Sequence, residues 1–200
     1  MLDAKLRQVV DPALGWLGHA LARQGISANV LTLAGAAVGV MAAVAISQGS
    51  FITGCGLVGL NRLLDGLDGA VARVNKPTAL GGYLDSLADF LFYVLVPVGF
   101  AMVSPQNQLP ALLLVASFTL TAVSFLAFAA IAARTGQEDG IHGTKAFIYS
   151  TGIIEGGETI AFFVIFCLFP HYFAWLALLL AGLCICTVIQ RVLMAARVFA

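Results

Sequence analysis

The chain has 200 residues, of which 60% are hydrophobic and 10% are charged, and its formal net charge is zero. Soluble domains carry about 25% charged residues, so this composition excludes an ordinary soluble domain and predicts an all-α integral membrane protein. No nucleic acid is expected as a partner. All four cysteines fall in apolar segments and are predicted to be reduced; they are Cys55, Cys167, Cys184 and Cys186.

Residues 1–26 are predicted to form an amphipathic juxtamembrane segment. Apolar residues recur there at helical spacing, and polar residues lie on the other sides. Asp11 followed by Pro12 is typical of a helix start, so we expect two short helices that meet at this point. Trp16 is a candidate anchor at the membrane interface. We expect this segment to pack against the transmembrane helices and to have no chemical role.

Residues 27–200 are predicted to form one domain of six transmembrane helices. Apolar runs long enough to cross a bilayer occur at about 28–48, 51–75, 78–103, 110–133, 144–169 and 172–191. Small residues form a stripe on the first of these helices, which should let another helix approach closely. The stripe consists of Gly35, Gly39, Ala42 and Ala43.

The distribution of basic residues predicts the orientation in the membrane. All ten lysines and arginines fall on the side of the N-terminus, and none lies in the predicted loops near positions 49, 106 and 170. The positive-inside rule therefore predicts that both termini, the 75–78 turn and the 134–145 loop are cytoplasmic.

Four aspartates stand out in the second and third predicted helices. Asp65 and Asp68 are three residues apart, and Asp85 and Asp89 are four apart, so each pair lies on one face of its helix. Charged groups in apolar surroundings are costly unless they are paired or bound to metal, and four carboxylates together repel each other. The pattern predicts a site for two divalent ions between the helices, and its oxygen ligands favour Mg²⁺ or Mn²⁺.

Small residues accompany these acids. Gly69 and Ala72 share the helix face of Asp65 and Asp68, and Gly81 precedes Asp85 by four residues. Residues with almost no side chain leave room for a ligand to lie against the helix backbone.

This stretch resembles the signature of the CDP-alcohol phosphatidyltransferases, which reads D-x2-D-G-x2-A-R, about eight residues, then G-x3-D-x3-D. Its eight fixed positions are filled by Asp65, Asp68, Gly69, Ala72, Arg73, Gly81, Asp85 and Asp89. Seven residues instead of eight separate Arg73 from Gly81. The missing residue falls in the turn between helices, where changes in length cost little.

The resemblance implies a reaction: transfer of a phosphatidyl group from a CDP-linked lipid, usually CDP-diacylglycerol, to a polar alcohol, with release of CMP. It also implies a homodimer. The four aspartates would hold the metal ions, and Asp89 would act as general base. The residues expected to bind nucleotide and phosphate are Asp68, Gly69, Ala72, Arg73 and Gly81.

Two polar residues at the start of the first transmembrane helix are open to two interpretations. By resemblance, Asn29 and Thr32 could face the nucleotide site. They could equally be ordinary polar residues of a first helical turn.

The acceptor site is less defined by the sequence. Glu155 and Glu158 fall roughly 15–21 Å along the fifth predicted helix, at the depth of the aspartates, so six carboxylates would face one cytoplasmic cavity. The two glutamates could bind the acceptor or hold Arg134 or Arg191 in place. Arg134 and Lys145 could bind a phosphorylated acceptor, or they could be ordinary cytoplasmic charges. The sequence does not identify the acceptor alcohol.

Three other kinds of protein share parts of this pattern. A transporter would also keep carboxylates at mid-membrane depth, but its polar positions should continue to the far side, and the fourth and sixth helices contain almost none. A scaffold with structural ion pairs would not explain the small residues beside the acids. An enzyme that uses CDP-choline or CDP-ethanolamine with diacylglycerol would carry the same signature.

Overall fold

The computed structural model describes residues 2–135 and 152–199, with side chains from residue 12 onward. This part of the chain contains seven α-helices, and a short 3₁₀ helix, Pro170–Tyr172, precedes the last of them. The helices are α1 Leu2–Arg23, α2 Ala28–Ser47, α3 Phe51–Asn75, α4 Ala79–Val103, α5 Pro105–Arg134, α6 Gly156–Leu168 and α7 Phe173–Val198. The all-helical prediction is confirmed.

Four described segments are long and apolar enough to cross a membrane: α2, α4, α5 and the segment Pro170–Val198. Helix α3 has sufficient length but carries four charged residues, and α6 has only 13 residues. The membrane character of the chain is therefore clear, whereas the count of six spans remains a prediction.

The start of α5 differs from its prediction. The segment 104–109 was expected to be a turn, but the helix already begins at Pro105. The Ser104 hydroxyl accepts a hydrogen bond from the backbone N–H of Gln106, at 3.4 Å. Proline at the first helical position loses no intrahelical hydrogen bond, so a Ser-Pro pair starts a helix well.

The start of α6 corrects the predicted fifth helix. Residues 152–155 are not helical, and α6 begins only at Gly156. The backbone N–H of Ile154 donates to the Thr187 hydroxyl at 3.1 Å, which fastens this segment to α7. The depth counted for Glu155 and Glu158 along a continuous helix was therefore wrong. Residues 136–151 lie outside the described part of the chain.

Helix α1 is one helix that contains Pro12, so the expected division into two short helices was wrong. A proline inside a helix removes one backbone hydrogen bond, and packing against α3 supports α1. A Cβ added to Gly18 would lie 2.7 Å from the Ala70 Cβ, and one added to Gly66 would lie 2.8 Å from Leu14. Trp16 is 73% exposed, and its role at the membrane interface remains a prediction.

The small-residue stripe of α2 allows the predicted close approach, and its partners are α3 and α4 of the same chain. Gly35, Gly39, Ala42 and Ala43 are all buried. A Cβ added to Gly99 of α4 would lie 2.7 Å from the carbonyl oxygen of Ala43. The backbones of α2 and α4 are thus in contact, which fixes the position of the helix that carries Asp85 and Asp89.

A Gly99→Ala substitution is expected to destabilise the protein by about 1–3 kcal/mol, because the new methyl group overlaps a backbone atom that cannot rotate away. The measurement is the Tm of the purified protein in detergent. Gly59→Ala is the matched control, since a Cβ at Gly59 of α3 meets nothing within 4 Å. An equal Tm for the two variants would contradict the close contact of α2 and α4.

The apolar core includes the part of α4 that follows its acidic residues in the chain. Phenylalanines from three elements pack there: Phe92 and Phe100 from α4, Phe163 and Phe166 from α6, and Phe173 from α7. The rings of Phe100 and Phe173 stack with their centroids 4.5 Å apart. Ring contacts in this core link α4 to α6 and α7, while α4 packs along α2 and α5.

Candidate active site

The acidic cluster is formed by side chains of α3 and α4, which are joined by a short turn and both pack against α2. Lys76 has a positive φ of 70°, and the Thr78 hydroxyl accepts a hydrogen bond from the backbone N–H of Gly81 to begin α4. The structure brings Asp65, Asp68 and Asp85 together, with one carboxylate oxygen from each within 4.8 Å of the others. Asp89 is not a member of this group of three.

Asp68 is the most enclosed of these acids, with 5% of its surface exposed. The Thr32 hydroxyl of α2 donates to Asp68 Oδ2 at 2.6 Å, and it also lies 3.1 Å from the carbonyl oxygen of Ala28. Helix α2 therefore orients a carboxylate of α3 toward α4.

Thr32→Val is expected to weaken Mn²⁺ binding by about tenfold, because losing a hydrogen bond that orients a metal ligand has effects of that size. Valine keeps the shape of the side chain and removes the hydroxyl. Titration calorimetry of the purified protein gives the Kd. Thr53→Val, on the exposed start of α3, is the control. An unchanged Mn²⁺ affinity in Thr32→Val would show that the Thr32 hydroxyl does not orient Asp68 for metal binding.

Arg62 is a site residue that the sequence analysis missed. Its Nη1 donates to Asp89 Oδ1 at 2.9 Å and to Asp65 Oδ2 at 3.5 Å. Its guanidinium carbon lies 4.4 Å from the ring centroid of Phe92. A signal was present in the sequence, since Arg62 precedes Asp65 by three residues and so shares its helix face.

Asn61 connects Arg62 to α2. Its side-chain oxygen accepts hydrogen bonds from Nε and Nη2 of Arg62, at 2.8 and 2.6 Å. Its side-chain nitrogen donates to the carbonyl oxygen of Gly35 at 2.8 Å. Asn61 is only 3% exposed, so the hydrogen bonds that link Arg62 to α2 through Asn61 are buried.

A cavity of about 440 Å³ adjoins the acidic cluster. All seven residues that the sequence assigned to nucleotide and phosphate binding line it: Asn29, Thr32, Asp68, Gly69, Ala72, Arg73 and Gly81. Asp85 lines it as well, so two carboxylates of the cluster form part of its wall. The cavity thus joins polar side chains from α2, α3 and α4.

The small residues of the signature keep this cavity open. A Cβ added to Gly81 would lie 3.0 Å from the Thr78 hydroxyl oxygen and 3.2 Å from the side-chain oxygen of Asn29. At Gly69, the nearest such neighbour is Arg73 Nη1, at 3.5 Å. Larger side chains at these positions would occupy the space in front of Asp68 and Asp85.

Glu155 and Glu158 lie elsewhere. They form a capping box at the start of α6, in which Glu158 Oε2 accepts a hydrogen bond from the backbone N–H of Glu155 at 3.1 Å. Glu155 lines a second cavity of about 300 Å³, together with Tyr93, Thr159 and Arg191.

The expected single cavity with six carboxylates was therefore wrong. Asp68 and Asp85 line the cavity of about 440 Å³, and Glu155 lines the cavity of about 300 Å³. Asp65 and Asp89 line a separate small cavity of about 10 Å³.

Two further acceptor candidates, Arg134 and Lys145, stay predictions. Arg134 is exposed at the last residue of α5 and lines none of these cavities. Lys145 lies outside the described residues.

The acidic cluster suits a hard divalent cation. Three carboxylates converge from two helices, and Mg²⁺ and Mn²⁺ prefer oxygen ligands, in particular carboxylates. The residues Asp65, Asp68 and Asp85 therefore fit the metal that the sequence predicted.

The chain was compared with known proteins. Residues 26–199 match the family model of the CDP-alcohol phosphatidyltransferases. The inner membrane protein YnjF of Escherichia coli is 45% identical over 193 residues, which cover 96% of this chain and 94% of that protein. The archaetidylinositol phosphate synthase of Methanothermobacter thermautotrophicus is 37% identical over 95 residues, or 47% of this chain and 45% of that protein.

Solved structures of the phosphatidylinositol phosphate synthase of Mycobacterium tuberculosis share the fold. The complex with manganese and citrate has a TM-score of 0.70 at 21% identity and covers 90% of this chain and 87% of that one. The complex with CDP-DAG has a TM-score of 0.65 at 24% identity, covering 90% and 91%. The family match extends over nearly the whole chain and includes the signature that lines the cavity, so this membrane-embedded phosphotransferase belongs to the CDP-alcohol phosphatidyltransferase family.

Proposed function

We propose that the protein transfers a phosphatidyl group from CDP-diacylglycerol to a small polar alcohol and releases CMP. One observation carries the proposal: the cavity of about 440 Å³ shares Asp68 and Asp85 with the three-carboxylate cluster. A ligand in this cavity therefore places its phosphates beside a cation site. The solved relative with CDP-DAG bound supports the same donor.

The donor's nucleotide would lie against Gly69, Ala72 and Gly81, where the helix backbones are accessible. Arg73 lines the same cavity and would neutralise phosphate charge. Asp65, Asp68 and Asp85 would hold Mg²⁺ or Mn²⁺. When bound, this ion would neutralise the diphosphate and stabilise the departing CMP.

Asp89 is the proposed general base. The acceptor hydroxyl gives its proton to the Asp89 carboxylate while its oxygen attacks the phosphorus that bears the diacylglycerol. The bond from that phosphorus to the bridging oxygen breaks, and CMP leaves with this oxygen. Arg62 binds Oδ1 of Asp89, so Oδ2 is the oxygen assigned to the proton.

The acceptor is proposed to bind in the cavity of about 300 Å³. Tyr93 lines this cavity and follows Asp89 by one helical turn, a rise of about 6 Å. Among the described residues, the buried Nε of Arg191 has no hydrogen-bond partner. Its Nη1 is fixed by the carbonyl oxygen of Thr121 and the Ser124 hydroxyl, at 2.9 and 3.2 Å. Arg191 and Glu155 would thus present polar groups to a hydroxylated acceptor.

Arg191→Gln is expected to raise the acceptor KM by at least about tenfold, the cost of roughly one charge-assisted hydrogen bond, with little change in the KM for CDP-diacylglycerol. Steady-state kinetics with each substrate varied in turn measure both constants. Arg197→Gln is the control, because Arg197 lies on the same helix and lines neither cavity. Equal changes in both KM values would indicate a structural role for Arg191.

The proposed orientation has both termini and the openings of the two cavities in the cytoplasm, as the positive-inside rule predicts. Helix α3 and the region of α6 complete the six proposed spans. The acyl chains of the donor would remain in the bilayer, and the family resemblance supports a homodimer.

The test is CMP release by the purified protein in mixed micelles with Mg²⁺ or Mn²⁺. The acceptor panel contains serine, glycerol phosphate, inositol phosphate, phosphatidylglycerol and choline. Release of CMP from CDP-diacylglycerol that depends on one of these acceptors is the expected result. Release only from CDP-choline or CDP-ethanolamine with diacylglycerol would show that the protein transfers a phosphocholine or phosphoethanolamine group to diacylglycerol instead. No release from either donor class would contradict the proposal.

A further inference from the structure

The guanidinium of Arg62 lies at the edge of the acidic cluster, between an aspartate of α3 and one of α4. Nη1 contacts Asp65 Oδ2 at 3.5 Å and Asp89 Oδ1 at 2.9 Å. The side chain of Arg62 is 19% exposed and that of Asp89 is 32% exposed. Arg62 is not one of the eight fixed signature positions, so the family pattern does not account for it.

The surroundings of Arg62 hold it in this orientation. Asn61 accepts from the two guanidinium nitrogens that do not contact the aspartates, and Asn61 is itself fixed to the Gly35 carbonyl oxygen. Phe92 covers one face of the guanidinium, in the geometry of a cation–π contact. Each part of the guanidinium therefore has a partner, and reorienting it would break several interactions at once.

The four aspartates form a cluster of three and a separate Asp89, and Arg62 contacts one member of the cluster and Asp89. Asp65, Asp68 and Asp85 offer oxygens within 4.8 Å of one another, which suits one divalent ion. Asp89 stands outside this group and is paired with Arg62. A cation that used Oδ1 of Asp89 as a ligand would have to displace a guanidinium from a charge-assisted hydrogen bond. A cation that used Oδ2 would lie close to the positive charge of Arg62.

We infer that Arg62 is a resident cation of the active site: it takes the place beside Asp89, so that the donor-free protein binds one divalent ion, and a second ion must compete with Arg62. This inference rests on the proposed function, because it specifies the metal content of the same site. In this arrangement Arg62 is a positioning residue, since it fixes Oδ1 of Asp89 and thereby directs Oδ2 toward the acceptor.

The test is a count of bound Mn²⁺ in the full-length, donor-free protein, by electron paramagnetic resonance of free Mn²⁺ and by titration calorimetry. One ion per protomer is expected for the wild type and for Arg62→Lys, which keeps the positive charge. Two ions are expected for Arg62→Gln, because Asp89 then lacks its resident cation. Two ions in the wild type, or one in a folded Arg62→Gln, would overturn the inference.

A second variant keeps the inference testable if Arg62→Gln does not fold. Asp89→Asn should keep one ion with a smaller loss of affinity than a ligand variant, since Asp89 is not a ligand of that ion. Asp85→Asn should lose about tenfold or more in affinity. Equal losses in the two variants would assign Asp89 to the metal and overturn the role of Arg62.

The inference and the proposed function fail in different measurements. Two ions in a wild-type protein that releases CMP would refute the role of Arg62 and leave the reaction intact. One ion in a protein that releases no CMP from any donor would leave the role of Arg62 intact and refute the reaction.

Discussion

Replacing Asp89 with asparagine is expected to lower kcat by about 10²–10⁴-fold, the usual contribution of a general base. Asparagine does not take the proton of the acceptor hydroxyl. Its side-chain oxygen can still accept the hydrogen bond from Arg62 Nη1, so the position of the side chain should be retained. Initial rates of CMP release at saturating donor and acceptor measure the effect.

Ser86→Ala is the matched control for this variant. Ser86 is exposed on α4, where its hydroxyl bonds to the carbonyl oxygen of Gly82. The Tm of both variants in detergent shows whether each is folded. A folded Asp89→Asn protein with the turnover of Ser86→Ala would show that Asp89 is not the base.

Replacing Asp85 with asparagine is expected to produce a loss of a different kind. The cluster would keep only two of its three carboxylates, so Mn²⁺ affinity should fall by about tenfold or more, and turnover at low Mn²⁺ should fall with it. Raising the Mn²⁺ concentration should recover part of the rate in Asp85→Asn. The same increase should not recover the rate of Asp89→Asn, because this variant still binds the ion but has lost the general base.

The measurement is the rate of CMP release as a function of Mn²⁺ concentration for the two variants. A rightward shift for Asp85→Asn and a lowered plateau for Asp89→Asn are the expected curves. Identical curves would mean that the two aspartates share one role, contrary to the geometry, in which only Asp85 belongs to the group of three.

The acidic cluster was accessible from sequence because its geometry is local. Spacings of three and four residues fix which carboxylates share a helix face, and α3 and α4 both pack against α2. The cavity residues followed in the same way, since Gly69 and Ala72 are set by the helix that carries Asp68. The signature predicted four metal-binding carboxylates, and the structure brings three of them together beside the cavity wall, with Asp89 outside the group.

Arg62 was harder to predict because its strongest partner is distant in sequence. Asp89 follows it by 27 residues, and Phe92 and Gly35 belong to two further helices. The basic residue was counted only as a charge on the cytoplasmic side. Its spacing of three from Asp65 was visible, but spacing alone does not distinguish an exposed ion pair from a guanidinium enclosed by three helices.

The start of α6 was missed for a physical reason as well. The run 144–169 has the composition of a membrane helix, and composition does not show where the first turn begins. The sequence Glu155-Gly156-Gly157-Glu158 carries the spacing of a capping box, with glutamate in place of the usual serine or threonine. Recognising it would have moved both glutamates from the middle of a helix to its N-terminus.

A crystal structure of the protein grown with Mn²⁺, with data collected at the manganese absorption edge, would show directly whether the three clustered aspartates bind a divalent ion. We expect an anomalous peak between α3 and α4, at coordination distance from carboxylate oxygens of Asp65, Asp68 and Asp85. A structure in which these three side chains point apart, or pair with basic residues and show no anomalous peak, would contradict this expectation.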